Sequence, residues 1–205
     1  MLIFNNIESQ AKADYAVIMF HGHGGNVDSL KPLLNVFSFK NSVSFYFLQA
    51  PYLIEKKSYS WSYEIKPGVW ERDEPKKLLD EFFNKIIFKK YKHQNVFLLG
   101  FSQGAFICFE YGLNIDKKIG GIFPISGFTR ELPEIHKSQI DTPVLIGHGT
   151  DDQVIDISSS ENAYDYYSQI KKMNNVKLIT YKGGHKISLK YLKEVNCFMN
   201  QNNIK

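Results

Sequence analysis

Two cysteines in 205 residues, Cys108 and Cys197, stand without CxxC or metal-ligand spacing, which leaves the chain no disulfide framework and no thiolate metal site. Both fall in apolar helical surroundings and are expected to be buried thiols. Long apolar runs are missing too. None approaches the roughly 20 residues needed to span a bilayer, so no transmembrane segment is expected. The N-terminus, Met1-Leu2-Ile3-Phe4-Asn5-Asn6, lacks the charged and apolar regions and the cleavage site of a signal peptide, and a cytoplasmic location is the default expectation. Charge of one sign is scarce in any one place: the net charge of +4 comes from Lys and Arg interleaved with Asp and Glu. That is a solvated surface and argues against a nucleic-acid partner. There is no internal repeat, low-complexity tract or linker. What remains is 43% hydrophobic, long enough for one sizeable core and too short for two, so a single domain over 1–205 is expected.

Apolar runs of strand length alternate with segments of helical periodicity. The runs at 15–20, 43–48, 95–99, 119–125, 143–147 and 176–181 read as strands. Leu30, Leu33, Leu34 and Phe37 make one apolar helix face, with Asn26 or Asp28 as the cap. Further helices are expected over 74–90, with Leu78, Leu79, Phe82, Phe83, Ile86 and Ile87 on one side, near 158–173, and over 188–199. The alternation predicts an α/β fold, a mostly parallel central sheet covered by helices on both faces. The stretch 52–72 breaks this pattern. It is aromatic and weakly periodic, with a turn at Pro67-Gly68, and reads as a long binding loop without structure of its own. Trp61, Tyr63 and Trp70 are expected to line a substrate groove there, the plainer alternative being that they pack the loop onto the core. Exposed aromatics would also suit a homodimer face or a lipid-facing lip.

The run 95–99 leads into Gly100-Phe101-Ser102-Gln103-Gly104, and Phe106, Ile107, Phe109 and Glu110 continue a helix. A strand that ends in G-x-S-x-G and opens into a helix turns sharply, holding one serine out at the sheet edge in a strained conformation. Ser102 is the candidate nucleophile. A serine hydroxyl needs a base, and the base needs an orienting group. Each is available in a later loop that follows a strand: His148-Gly149-Thr150-Asp151-Asp152, and Gly183-Gly184-His185. The order Ser102, Asp152, His185 is that of an α/β-hydrolase, and parallel strands bring such loops to one edge. His185 would then be the general base and Asp152 its orienting acid, with Asp151 and Asp156 as rivals for the acid. Backbone N–H donors for a developing oxyanion are expected from Gln103, at the start of the helix, and from His23, in the glycine-rich loop His21-Gly22-His23-Gly24-Gly25. A metal-dependent reading of His21 and His23 is the weaker alternative, because Gly25 and Asn26 stand where the remaining ligands of an H-x-H-x-D-H run would be.

These residues together resemble the carboxylesterase and acyl-protein thioesterase branch of the α/β-hydrolases, the phospholipase/carboxylesterase family, over most of the chain. H-G-x-G at 21–24 is similar to its oxyanion loop and the pentapeptide at 100–104 to its G-F-S-Q-G elbow. Ala50-Pro51 followed by Ser60-Trp61 is similar to its A-P…x-W segment, and Tyr181-Lys182-Gly183-Gly184-His185 to its histidine loop. His148-Gly149-x-x-Asp152 followed by Val154 resembles its acid loop, with the valine one residue nearer, and favours Asp152 over its neighbours. His23 replaces the small or aliphatic residue common after H-G, and Gln153 a frequent proline. The resemblance implies an α/β-hydrolase fold, and the length of 205 residues is expected to leave no room for a separate cap domain. It also implies acyl transfer to water through an acyl-Ser102 intermediate, on small esters, thioesters or acyl lipids, without metal or organic cofactor. A binding module that keeps the fold but not the chemistry is the alternative; against it stand all three triad candidates and the glycines.

Overall fold

The computed structural model describes residues 1–9, 13–128 and 133–201. Each apolar run forms a strand: β2 (Tyr15–Phe20), β3 (Val43–Leu48), β8 (Val96–Phe101), β9 (Gly121–Ile125), β10 (Val144–Gly149) and β11 (Val176–Tyr181). They pair in parallel, and β1 (Phe4–Ile7) adds an antiparallel edge beside β3, for a seven-stranded order β1-β3-β2-β8-β9-β10-β11. β1 escapes a sequence reading because Phe4-Asn5-Asn6-Ile7 is short, polar in the middle and only half covered.

Strands buried on both faces read as continuous apolar runs, and β2 shows why. Ala16, Ile18 and Phe20 join one core layer while Tyr15, Val17 and Met19 join the other. The first layer lies under α1 (Asp73–Phe82), α3 (Gln103–Glu110) and α4 (Ser158–Asp165), the second under α5 (Leu189–Gln201). α1 runs on through a π-type turn, Phe83–Ile87, into α2 (Phe88–Lys90), which accounts for the expected helix over 74–90. α4 continues in the same way through Tyr166–Ile170.

Three expectations are corrected. Residues 30–37 do not form an α-helix but a 3₁₀ segment, Lys31–Asn35, with Pro32 in its first turn and no buried residue. Asn26 does not cap it, because its side-chain oxygen accepts from Asp28 N at 2.9 Å and closes a local turn instead. Cys108 is buried as expected, but Cys197 is exposed. The buried stripe of α5 is Tyr191, Leu192, Val195 and Met199, and position 197 lies off it. Residues 52–70 are not an unstructured loop. They form two hairpins, β4 (Tyr52–Glu55) with β5 (Ser58–Ser60) and β6 (Glu64–Lys66) with β7 (Val69–Trp70), the second turning at Gly68 with φ +80° as its Pro-Gly pair suggests.

β2 leads across to β3 on one side and β8 to β9 on the other. The loops leaving the ends of β2 and β8 therefore diverge and leave a crevice between them, the usual place for a site in a parallel sheet.

Candidate active site

Ser102 sits at φ 55°, ψ −116° between β8 and α3, its N–H donating to Ile125 O at 2.8 Å. Only the absence of side chains lets the chain double back here. A Cβ on Gly100 would stand 2.0 Å from Gly104 O, and one on Gly104 2.0 Å from Phe20 O at the end of β2. The loop after β2 reaches the same point, since a Cβ on Gly22 would come within 3.2 Å of the Ser102 Cβ.

The loops after β10 and β11 are pressed together, with no room for a Cβ on Gly149 against the Gly183 and Gly184 carbonyls. There His185 Nδ1 donates to Asp152 Oδ2 at 2.8 Å. The other oxygen of that carboxylate accepts from Val154 N at 2.9 Å and Ile155 N at 3.0 Å. Burial pushes the Asp152 pKa up, but the Ile155 amide, the His185 ring and the Val154 amide together outweigh it and hold the carboxyl below the usual range. The rivals are occupied elsewhere: Asp151 pairs with Lys182 at 2.8 Å, and Asp156 accepts from Ser158 N at 2.9 Å. His185 packs on the ring of Phe101 with centroids 4.8 Å apart, which brings it beside the elbow. The Ser102 hydroxyl has no hydrogen-bond partner among the described residues; such bonds often tighten only when substrate is present.

The glycine-rich loop is fastened from two directions. His21 is buried, and its Nε2 accepts from Ala50 N at 3.1 Å while Nδ1 donates to Gly22 O at 2.7 Å. Both ring nitrogens are thus taken, which leaves His21 no free lone pair for a metal ion. Nor does any group of three or more His, Cys, Asp or Glu among the described residues have the arrangement to hold one. From the other side, Gly24 N donates to Tyr59 O at 2.9 Å, Tyr59 N to Gly25 O at 3.0 Å, and the Trp61 indole to His21 O at 2.9 Å. The Gln103 side chain ties the same hairpin to α3, accepting from Trp61 N at 2.9 Å and donating to Ser60 Oγ at 2.9 Å. The His23 ring joins at 3.3 Å from Ser60 Oγ. The backbone N–H groups of His23 and Gln103 have no acceptor among the described residues.

Burial lowers the His21 pKa, and its bond to Gly22 O offsets this only in part. The unfolded ring protonates near 6.5, so stability from the neutral, buried ring is complete above about pH 6.5 and falls as the pH drops below it, by at most about 1.4 kcal/mol per pH unit. Urea unfolding between pH 7.5 and 5.5 measures that slope. His21→Gln is expected to flatten it; an equal slope in the variant would assign the effect to other groups.

Of the three aromatics expected along a groove, Trp61 is a core residue that borders a cavity beside α3. It is 1% exposed, packed edge-on against Phe20, and holds the glycine-rich loop. Tyr63 is exposed and meets Tyr52 edge-on at 4.8 Å, and Trp70 is half-buried opposite Glu64. A cavity of about 350 Å³ behind α3 is lined by Trp61, Ser62, Leu79, Phe106 and the Arg72 to Glu110 ion pair, and not by Ser102, Asp152 or His185. Sequence reading missed Ser60 and the Gln103 side chain as fasteners, since an isolated Ser or Gln carries no periodic signal. It also gave no role to His148, although that residue opens the motif containing Asp152.

Among the described residues no helix is long and apolar enough to cross a membrane. The chain is 29% identical over 131 residues to acyl-protein thioesterase 1 of Kluyveromyces lactis, a match that covers 61% of this chain and 58% of that protein. It is also 29% identical over 216 residues to acyl-protein thioesterase 1 of Candida albicans, covering 93% and 92%. The chain spans about half the length of several of the curated relatives it matches, 45% and 48% in two of them. In three dimensions it superposes on the Bacillus cereus carboxylesterase with a TM-score of 0.77 at 19% identity, over 97% of this chain and 93% of that one, which establishes the α/β-hydrolase fold. The phospholipase/carboxylesterase family model spans residues 3–203, elbow, acid loop and histidine loop included, and the chain belongs to that family.

Proposed function

We propose that the chain is a serine hydrolase that cleaves carboxylic esters or thioesters through an acyl-Ser102 intermediate. The observation that carries this is the His185 imidazole donating from Nδ1 to a buried carboxylate at 2.8 Å, in a loop at the same sheet edge as a strained serine. With Nδ1 committed to Asp152, the Nε2 of neutral His185 is free to accept the Ser102 proton. Ser102 Oγ then attacks the acyl carbonyl, and the proton passes from His185 to the departing alcohol or thiol. Water repeats the sequence on the acyl-enzyme and releases the acid. The N–H groups of His23 and Gln103 would receive the oxyanion of each tetrahedral intermediate, and Asp152 would stabilise the imidazolium. The names of the relatives, acyl-protein thioesterase and carboxylesterase, support both leaving-group classes.

Steady-state hydrolysis of matched oxygen esters and thioesters, with acyl chains from acetyl to palmitoyl, tests the reading. Turnover with a chain-length optimum and a pre-steady-state burst of alcohol or thiol is expected. Inactivity across the panel, together with no covalent labelling by a fluorophosphonate, would leave a fold that binds without reacting.

A further inference from the structure

His148 is fully buried near the end of β10, and no step of the reaction uses it. A buried imidazole is costly unless its polar atoms are satisfied, and the partners of this one lie in the acid loop and the helix that follows. Its Nε2 is 2.9 Å from Ile155 O and 3.4 Å from Asp152 Oδ2, the oxygen that also receives His185. Its Nδ1 is 2.6 Å from Ser160 Oγ in the first turn of α4. A carbonyl can only accept, so Nε2 carries a hydrogen, and the neutral ring then accepts the Ser160 hydroxyl proton at Nδ1. Ile155 is gripped twice, its carbonyl by His148 and its N–H by Asp152 Oδ1. The ring therefore braces the turn that holds the carboxylate and shares the oxygen Asp152 Oδ2 with His185.

We propose that His148, oriented by Ser160, is a positioning residue for Asp152. It fixes where the carboxylate stands and hence where it holds His185; the inference rests on the Ser102, His185, Asp152 reading. A shift of about 1 Å in such a group can cost about a hundredfold in rate. His148→Leu is expected to lower kcat by about that factor with KM within about twofold. His148→Gln, which keeps an N–H, should recover part of the loss, and the downfield proton resonance of His185 Nδ1 should move in the leucine variant. In an Asp152→Asn background the same leucine substitution should cost less than about threefold, since there is no longer a carboxylate to place. A folded His148→Leu enzyme with wild-type kcat, or equal losses in both backgrounds, overturns the proposal. Should the leucine variant not fold, Ser160→Ala decides: lower kcat with unchanged KM is expected, and wild-type kcat refutes it. An Asp152→Asn enzyme with full activity would instead remove the underlying triad reading.

Discussion

Replacing Ser102 by alanine is expected to lower kcat by about a million-fold, leaving only what binding and the oxyanion donors supply over water. Ser102→Gly should be as inactive yet more stable than the alanine variant, and this contrast separates chemistry from fold. The backbone at position 102 lies at φ 55°, ψ −116°, a region that glycine enters freely and residues with a Cβ enter at a cost of about 1–3 kcal/mol. Glycine loses about 0.5–1 kcal/mol more than alanine in chain entropy on folding. The net gain is about 1 kcal/mol, or about 2–4 °C in Tm for a chain of this size. Single-turnover kinetics and calorimetry on the two variants read both effects. An alanine variant retaining more than about one hundredth of wild-type turnover would mean that another group is the nucleophile.

The second large effect is on folding itself. Gly104→Ala puts a Cβ 2.0 Å from Phe20 O, 2.6 Å from the same carbonyl carbon and 2.8 Å from His21 O. All three are backbone atoms at the end of β2, an interior strand whose six residues are all buried, so neither side can move aside. The cost is expected to exceed about 4 kcal/mol, a large share of the 5–15 kcal/mol that holds an ordinary domain folded. Gly68→Ala is the control. That glycine has no neighbour within 4 Å of an added Cβ and only its φ of +80° to pay for, so about 1 kcal/mol is expected. Urea unfolding of both variants measures the gap; a Gly104→Ala protein within about 1 kcal/mol of wild type would contradict the packing at the elbow.

Much of this was legible from residues alone, for identifiable reasons. β2 and β8 are buried on both faces and so spell themselves as unbroken apolar runs. β4 to β7 are two to four residues long and largely exposed, and the first hairpin turns at Lys57 with φ 63° where no glycine marks it. The elbow could be read because its steric demands fix residue types at fixed offsets. The acid could not be settled from spacing, because three aspartates lie within six residues. Only the fold shows Asp151 turned to Lys182, Asp156 turned to α4 and Asp152 facing His185. Trp61 holds partners 40 and 42 residues away, His21 and Gln103, relations that no local pattern encodes.

The attachment of the glycine-rich loop to the first hairpin also bears on timing. A short loop held only by its own turn would fray on its own, independently of the sheet. Here Gly24 and Gly25 can part from Tyr59 only if their turn separates from β5, and the loop is fully released only when the Trp61 indole also leaves His21 O. Local breathing at this point is therefore a joint event of loop and hairpin, rarer than fraying of either alone. The loop beside Ser102 is thereby held in place by the hairpin and does not depend on its own turn for order.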